Sequence, residues 1–67
     1  MTYSLNTIIA TLVNKEDAPK ASVGVILAIR PKEKKPEENE YLVELFNVKG
    51  HVHDQIWYNG DEIYEIQ

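Results

Sequence analysis

The sequence predicts an all-β domain: a small barrel of five short strands with one long charged loop. Three observations lead there. β-Branched and aromatic residues gather in short apolar runs, as strands require. No segment shows the 3.6-residue periodicity of an amphipathic helix, and residues 17–22 have room for one turn at most. Gly, Pro, Asn and Asp separate the runs at turn positions. With 67 residues the chain makes one domain, 1–67, with a modest core. So small a sheet must hide its edges, and closing it into a barrel does so.

The first strand is expected over Leu5–Val13, "LNTIIATLV". The polar, proline-containing "NKEDAPKAS" follows as a loop. The second strand, Val23–Ile29, contains Gly24, which marks a bulge or sharp bend. Residues 30–40, "RPKEKKPEENE", carry two prolines and eight charges. That composition has nothing to bury, so a solvated, flexible loop is expected. Tyr41–Phe46 is the third strand, and Asn47–Gly50 a tight turn. His51–Tyr58 is the fourth strand. Asn59–Gly60 reads either as a type I′ hairpin or, with Asp61 and Glu62, as a 3₁₀ turn. Glu62–Ile66 is a short last strand.

The progression of Val23, Gly24 and Ile26, then Tyr41, Val43, Glu44 and Leu45, then Gly50, resembles small stand-alone bacterial SH3-like barrel proteins. The likeness runs from Leu5 to Ile66. It implies an SH3-like barrel, a fold class that binds peptides, protein domains or nucleic acids and seldom catalyses. The long 30–40 loop departs from the shortest members of that class.

Charge narrows the partners. Seven Lys and Arg stand against eleven Asp and Glu, a net charge of −4. General nucleic-acid binding needs a basic face to displace counterions, so nucleic acid is an unlikely partner. Arg30, Lys32, Lys34 and Lys35 cluster in the loop. Beyond Gly50 the chain has no Lys or Arg but carries Asp54, Asp61, Glu62 and Glu65. A basic loop and an acidic end suit another protein better than a polyanion. The absence of cysteine fits a reducing compartment, hence a cytoplasmic location. No apolar run approaches the roughly 18–20 residues of a membrane helix. The N-terminus lacks the pattern of a signal peptide, so the chain reads as a complete soluble protein, a monomer or weak homodimer.

Among candidate sites, His51 and His53 share one strand face and make the start of a metal site. Asp54 points to the other face and there is no further His or Cys, so no metal or other cofactor is expected. No catalytic residue is assigned, because no nucleophile, base and orienting group stand together, and the three glycines are scattered. On the fourth strand, Gln55 and Trp57 share the histidine face; Val52, Asp54, Ile56 and Tyr58 share the other, with Val52 and Ile56 facing the core. Trp and Tyr bury large areas at low rotamer cost. The expected partner-binding surface is therefore Trp57 and Tyr58 flanked by His51 and His53, with Asp61 and Glu62 steering a basic partner. Contacts through Arg30, Lys32, Lys34 and Lys35 are the alternative. The function so predicted is a non-enzymatic protein-interaction module, a small accessory or regulatory protein. The alternatives are a nucleic-acid-binding module using the basic loop, and a small phage- or plasmid-type inhibitor with an acidic end.

Overall fold

A computed structural model of the chain describes residues 2–15, 18–46 and 55–66. Five strands form one antiparallel sheet: β1 Ile8–Thr11, β2 Val23–Arg30, β3 Glu40–Leu45, β4 Gln55–Asn59 and β5 Ile63–Glu65. Their spatial order is β4-β3-β2-β1-β5. The described residues contain no α-helix, only 3₁₀ turns at Pro36–Glu38 and Gly60–Glu62.

The core follows from strand alternation. On β3, Tyr41, Val43 and Leu45 are buried while Glu40, Leu42 and Glu44 face outward. Ile9, Ile26, Tyr58 and Ile63 join the buried set from the other strands, and Ala18 joins it from a loop. β1 lies between β2 and β5, so Ile9, Ala10 and Thr11 are all covered. Thr11 is buried without penalty because its hydroxyl donates to the Pro19 carbonyl and accepts the Ser22 N–H (3.3 and 3.0 Å).

The first strand is shorter than expected. Asn6 takes φ 68°, a left-handed conformation Asn tolerates, and a turn closes from Thr7 to Ser4 just before β1. Past Thr11 one more bond follows on the β5 side, from the Leu12 N–H to the Glu62 carbonyl (2.7 Å), in the register of the β1–β5 pair.

Gly24 is not a bulge. It sits in regular register between Ile9 and Leu45. A Cβ there would lie 2.5 Å from the Glu44 carbonyl oxygen and 2.7 Å from the Val43 side chain, so glycine permits close approach of two strands. The bulge falls at Leu27, where the register shifts between Ile26 and Ala28. That extra residue returns Ile29 to the core side and sets Arg30 opposite Glu40.

Asn59–Gly60 opens the 3₁₀ turn and not a hairpin. Asn59 and Glu62 form a capping box, and β5 then pairs with β1 rather than with β4. The 30–40 loop is exposed as expected but not featureless. The Lys32 N–H donates to the Asn39 side chain (2.7 Å), and backbone bonds shape residues 35–39 into a 3₁₀ turn. No β4–β5 ladder closes the sheet among the described residues. The open side of the core is covered instead by Tyr3, Val13 and Ala18 from the segments flanking β1. The predicted Asn47–Gly50 turn lies outside the described residues.

Candidate functional site: a cleft between the charged loop and the 3₁₀ turn

A cleft of about 800 Å³ opens between the 30–40 loop and the Gly60–Glu62 turn. Tyr3, Leu12 and Ile63 form its apolar lining. Tyr3 is fixed three ways. Its N–H donates to the Tyr41 hydroxyl (3.1 Å), its own hydroxyl donates to the Ile63 carbonyl (3.3 Å), and its ring meets the Tyr41 ring edge-on at 5.5 Å.

The rim is acidic. Glu37, Glu38, Glu40 and Asp61 border the cleft, with Lys32 as the one cation among the described residues. Much of this charge is internally matched. Glu40 takes both Arg30 (3.1 Å) and Lys32 (3.7 Å), and Glu38 takes Lys35 (3.9 Å). Glu37 and Asp61 are exposed and have no ion-pair partner among the described residues. The cleft thus offers an apolar floor beneath two unmatched carboxylates.

Trp57 is half-buried on the outer sheet face opposite Leu42, outside the cleft. The Arg30 guanidinium stacks over its ring at 4.2 Å while binding Glu40. Tyr58 requires a correction. It is 1% exposed and belongs to the core, so it offers no surface anchor; alternation places it beside Ile56, on the face away from Trp57. Burial, and next the nearby Glu62 carboxylate, push its phenol above the ordinary tyrosine range. Burial raises the Tyr3 phenol too, helped by Tyr41 and Glu65.

Glu62 faces away from solvent partners. It accepts the Asn59 N–H (2.7 Å) and pairs with Lys15 (3.3 Å). Steering from the turn is left to Asp61. In the loop, Arg30, Lys32 and Lys35 are paired with carboxylates, and Lys34 has no ion-pair partner among the described residues. His51 and His53 lie outside the described residues. No group of three or more His, Asp or Glu suited to a metal ion occurs among the described residues.

Lys15, Tyr3, Leu12 and Glu37 were not singled out by the sequence. Lys15, Tyr3 and Leu12 reach their places through contacts between distant segments, which no local pattern records; Glu37 borders the cleft from the exposed loop. The Asn59–Glu62 spacing of a capping box is a local signal for this corner of the fold. Comparison with protein-family models, with curated proteins and with solved structures finds no match.

Proposed function

We propose that this chain is a non-enzymatic interaction module, an SH3-like barrel acting in the cytoplasm, whose cleft receives a basic, extended segment of another protein. The observation that carries the reading is the pair of unmatched carboxylates, Glu37 and Asp61, above the apolar Tyr3–Leu12–Ile63 floor. A lysine or arginine side chain brings both a cation for the rim and an aliphatic stem for the floor. The strand order β4-β3-β2-β1-β5, with one 3₁₀ turn between β4 and β5, supports the SH3-like reading. The nucleic-acid alternative is disfavoured because three of the four loop cations, Arg30, Lys32 and Lys35, are already held by carboxylates.

Titration with short unstructured arginine- and lysine-bearing peptides, followed by amide chemical shifts, tests the proposal. Shifts should centre on Tyr3, Leu12 and Asp61. Asp61→Asn should weaken binding by about 1 kcal/mol, with slower association and a shallower salt dependence. Trp57→Ala should weaken binding by about 2 kcal/mol if Trp57 extends the contact surface onto the outer face, and unchanged binding confines the site to the cleft. Peptides that bind without perturbing the cleft, or fail to bind at all, defeat the reading.

A further inference from the structure

The outer edge of β4 is exposed to strand addition by its sequence and protected by its surroundings. β4 reads Gln55-Ile56-Trp57-Tyr58-Asn59, with no charged residue and no proline. Natural edge strands are usually guarded by such residues, because an uncharged, aromatic and β-branched edge invites another chain to pair. β5, at the opposite edge, has only three residues and carries Glu65.

The guard on β4 comes from elsewhere in the chain. Lys15 Nζ donates to the Trp57 carbonyl (3.1 Å). Glu62 Oε1 accepts the Asn59 N–H (2.7 Å). These peptide groups stand two residues apart on the outermost strand, facing away from β3. A neighbouring strand would take both of them. Lys15 and Glu62 also pair with each other at 3.3 Å, so they act as one unit. Lys15 is well anchored: its backbone exchanges two hydrogen bonds with the buried Ala18 (both 2.9 Å), and its ammonium lies 4.8 Å from the centre of the Tyr58 ring.

We infer that the Lys15–Glu62 pair is a latch over the β4 edge, and that the edge it covers is a pairing surface for a second copy of this chain. Opening the latch frees the peptide groups of Trp57 and Asn59. Two copies then pair β4 to β4 antiparallel about a two-fold axis at Trp57, setting Gln55 of each copy opposite Asn59 of the other. No like charges meet across that ladder, since the strand has none. The inference does not depend on the cleft.

The test is the oligomeric state of the full-length chain by sedimentation equilibrium. Lys15→Met keeps the aliphatic stem against Tyr58 but removes the donor. It should associate at least about tenfold more tightly than the wild-type chain, with the Trp57 amide gaining protection from hydrogen exchange in the dimer. Glu62→Ala should shift association the same way. Lys15→Arg retains a donor and should behave as wild type. A folded Lys15→Met or Glu62→Ala protein that associates no more than wild type overturns the inference. So does dimerisation that leaves the Trp57 amide unprotected. If both variants fail to fold, the pair is a structural tie rather than a latch, and the inference falls.

Discussion

At the scale of single residues, Gly24 shows how one side chain's absence fixes an inter-strand distance. It is buried where β2 crosses β3, and the atoms a Cβ would meet first belong to the backbone of Glu44 and the side chain of Val43. Backbone cannot yield as a flexible side chain does, and Val43 is itself fully buried. Gly24→Ala should therefore cost about 2 kcal/mol, as overpacking does, measured by urea denaturation with an unchanged m-value. Val43→Ala, which leaves a cavity in the same spot, should cost a similar amount. Because the Glu44 carbonyl stays in place, Val43→Ala should relieve the Gly24→Ala cost only in part, and the extent of that relief measures the coupling through Val43. Trp57 sits at the other extreme. Its half-buried ring is held by Arg30 and Leu42 on the outer face, so Trp57→Ala should destabilise the fold less than Val43→Ala.

At the scale of elements, the 30–40 loop does two separable things. All of residues 31–38 are exposed, and the ion pairs to Glu40 and Glu38 involve partly or largely exposed groups, each worth at most about 1 kcal/mol. Replacing Lys32–Asn39 by a short glycine-containing turn should leave stability within about 1 kcal/mol, because loop-closure entropy varies slowly with length. The same replacement removes Glu37 and Glu38 from the cleft wall, so basic peptides should bind less tightly. Thermal unfolding and peptide titration of one variant separate the two roles. A loss of folding would show that the loop supports the sheet.

At the scale of the whole molecule, a tyrosine set joins the segments that lie far apart in sequence. Tyr3 ties the N-terminal segment to β3 and β5, and Tyr58 lies in the core beneath Lys15. The Tyr3 and Tyr58 phenols are raised above the ordinary value, chiefly by burial. A raised folded value means that the native state holds its proton more tightly than the unfolded chain. The stability so gained is present in full below the unfolded tyrosine value, about 10. It is lost as pH rises through the folded values. Melting temperature should thus be insensitive to these groups near neutrality and fall above about pH 10. Tyr58→Phe should lessen that fall. It should also raise stability at neutral pH by about 1 kcal/mol, since the Tyr58 hydroxyl is buried without a hydrogen-bond partner among the described residues. A drop in stability on Tyr58→Phe would mean that the hydroxyl is satisfied after all.

The all-β character and the middle strands were legible in the chain, because alternation of β-branched and polar residues is a local property; the ends of the first strand were not. β2 and β3 fall within a residue of their expected limits, and Ile56 and Tyr58 share a face as the two-residue period requires, whereas residues 59–62 fitted a hairpin and a 3₁₀ turn equally and the structure has the latter. The acidic character of the Asp61 corner was legible too, since charge is carried residue by residue. How these pieces meet depends on packing between distant segments. The bulge at Leu27 depends on what β3 presents across the ladder, and with it the place of Arg30 over Trp57. Tyr58, expected on a contact surface, is enclosed because residues from several other segments cover its face. Lys15 reaches the β4 edge across more than forty residues of chain, and Glu62 turns inward to meet it. Such contacts are chosen by the shape of the packed core, and local composition carries no record of them.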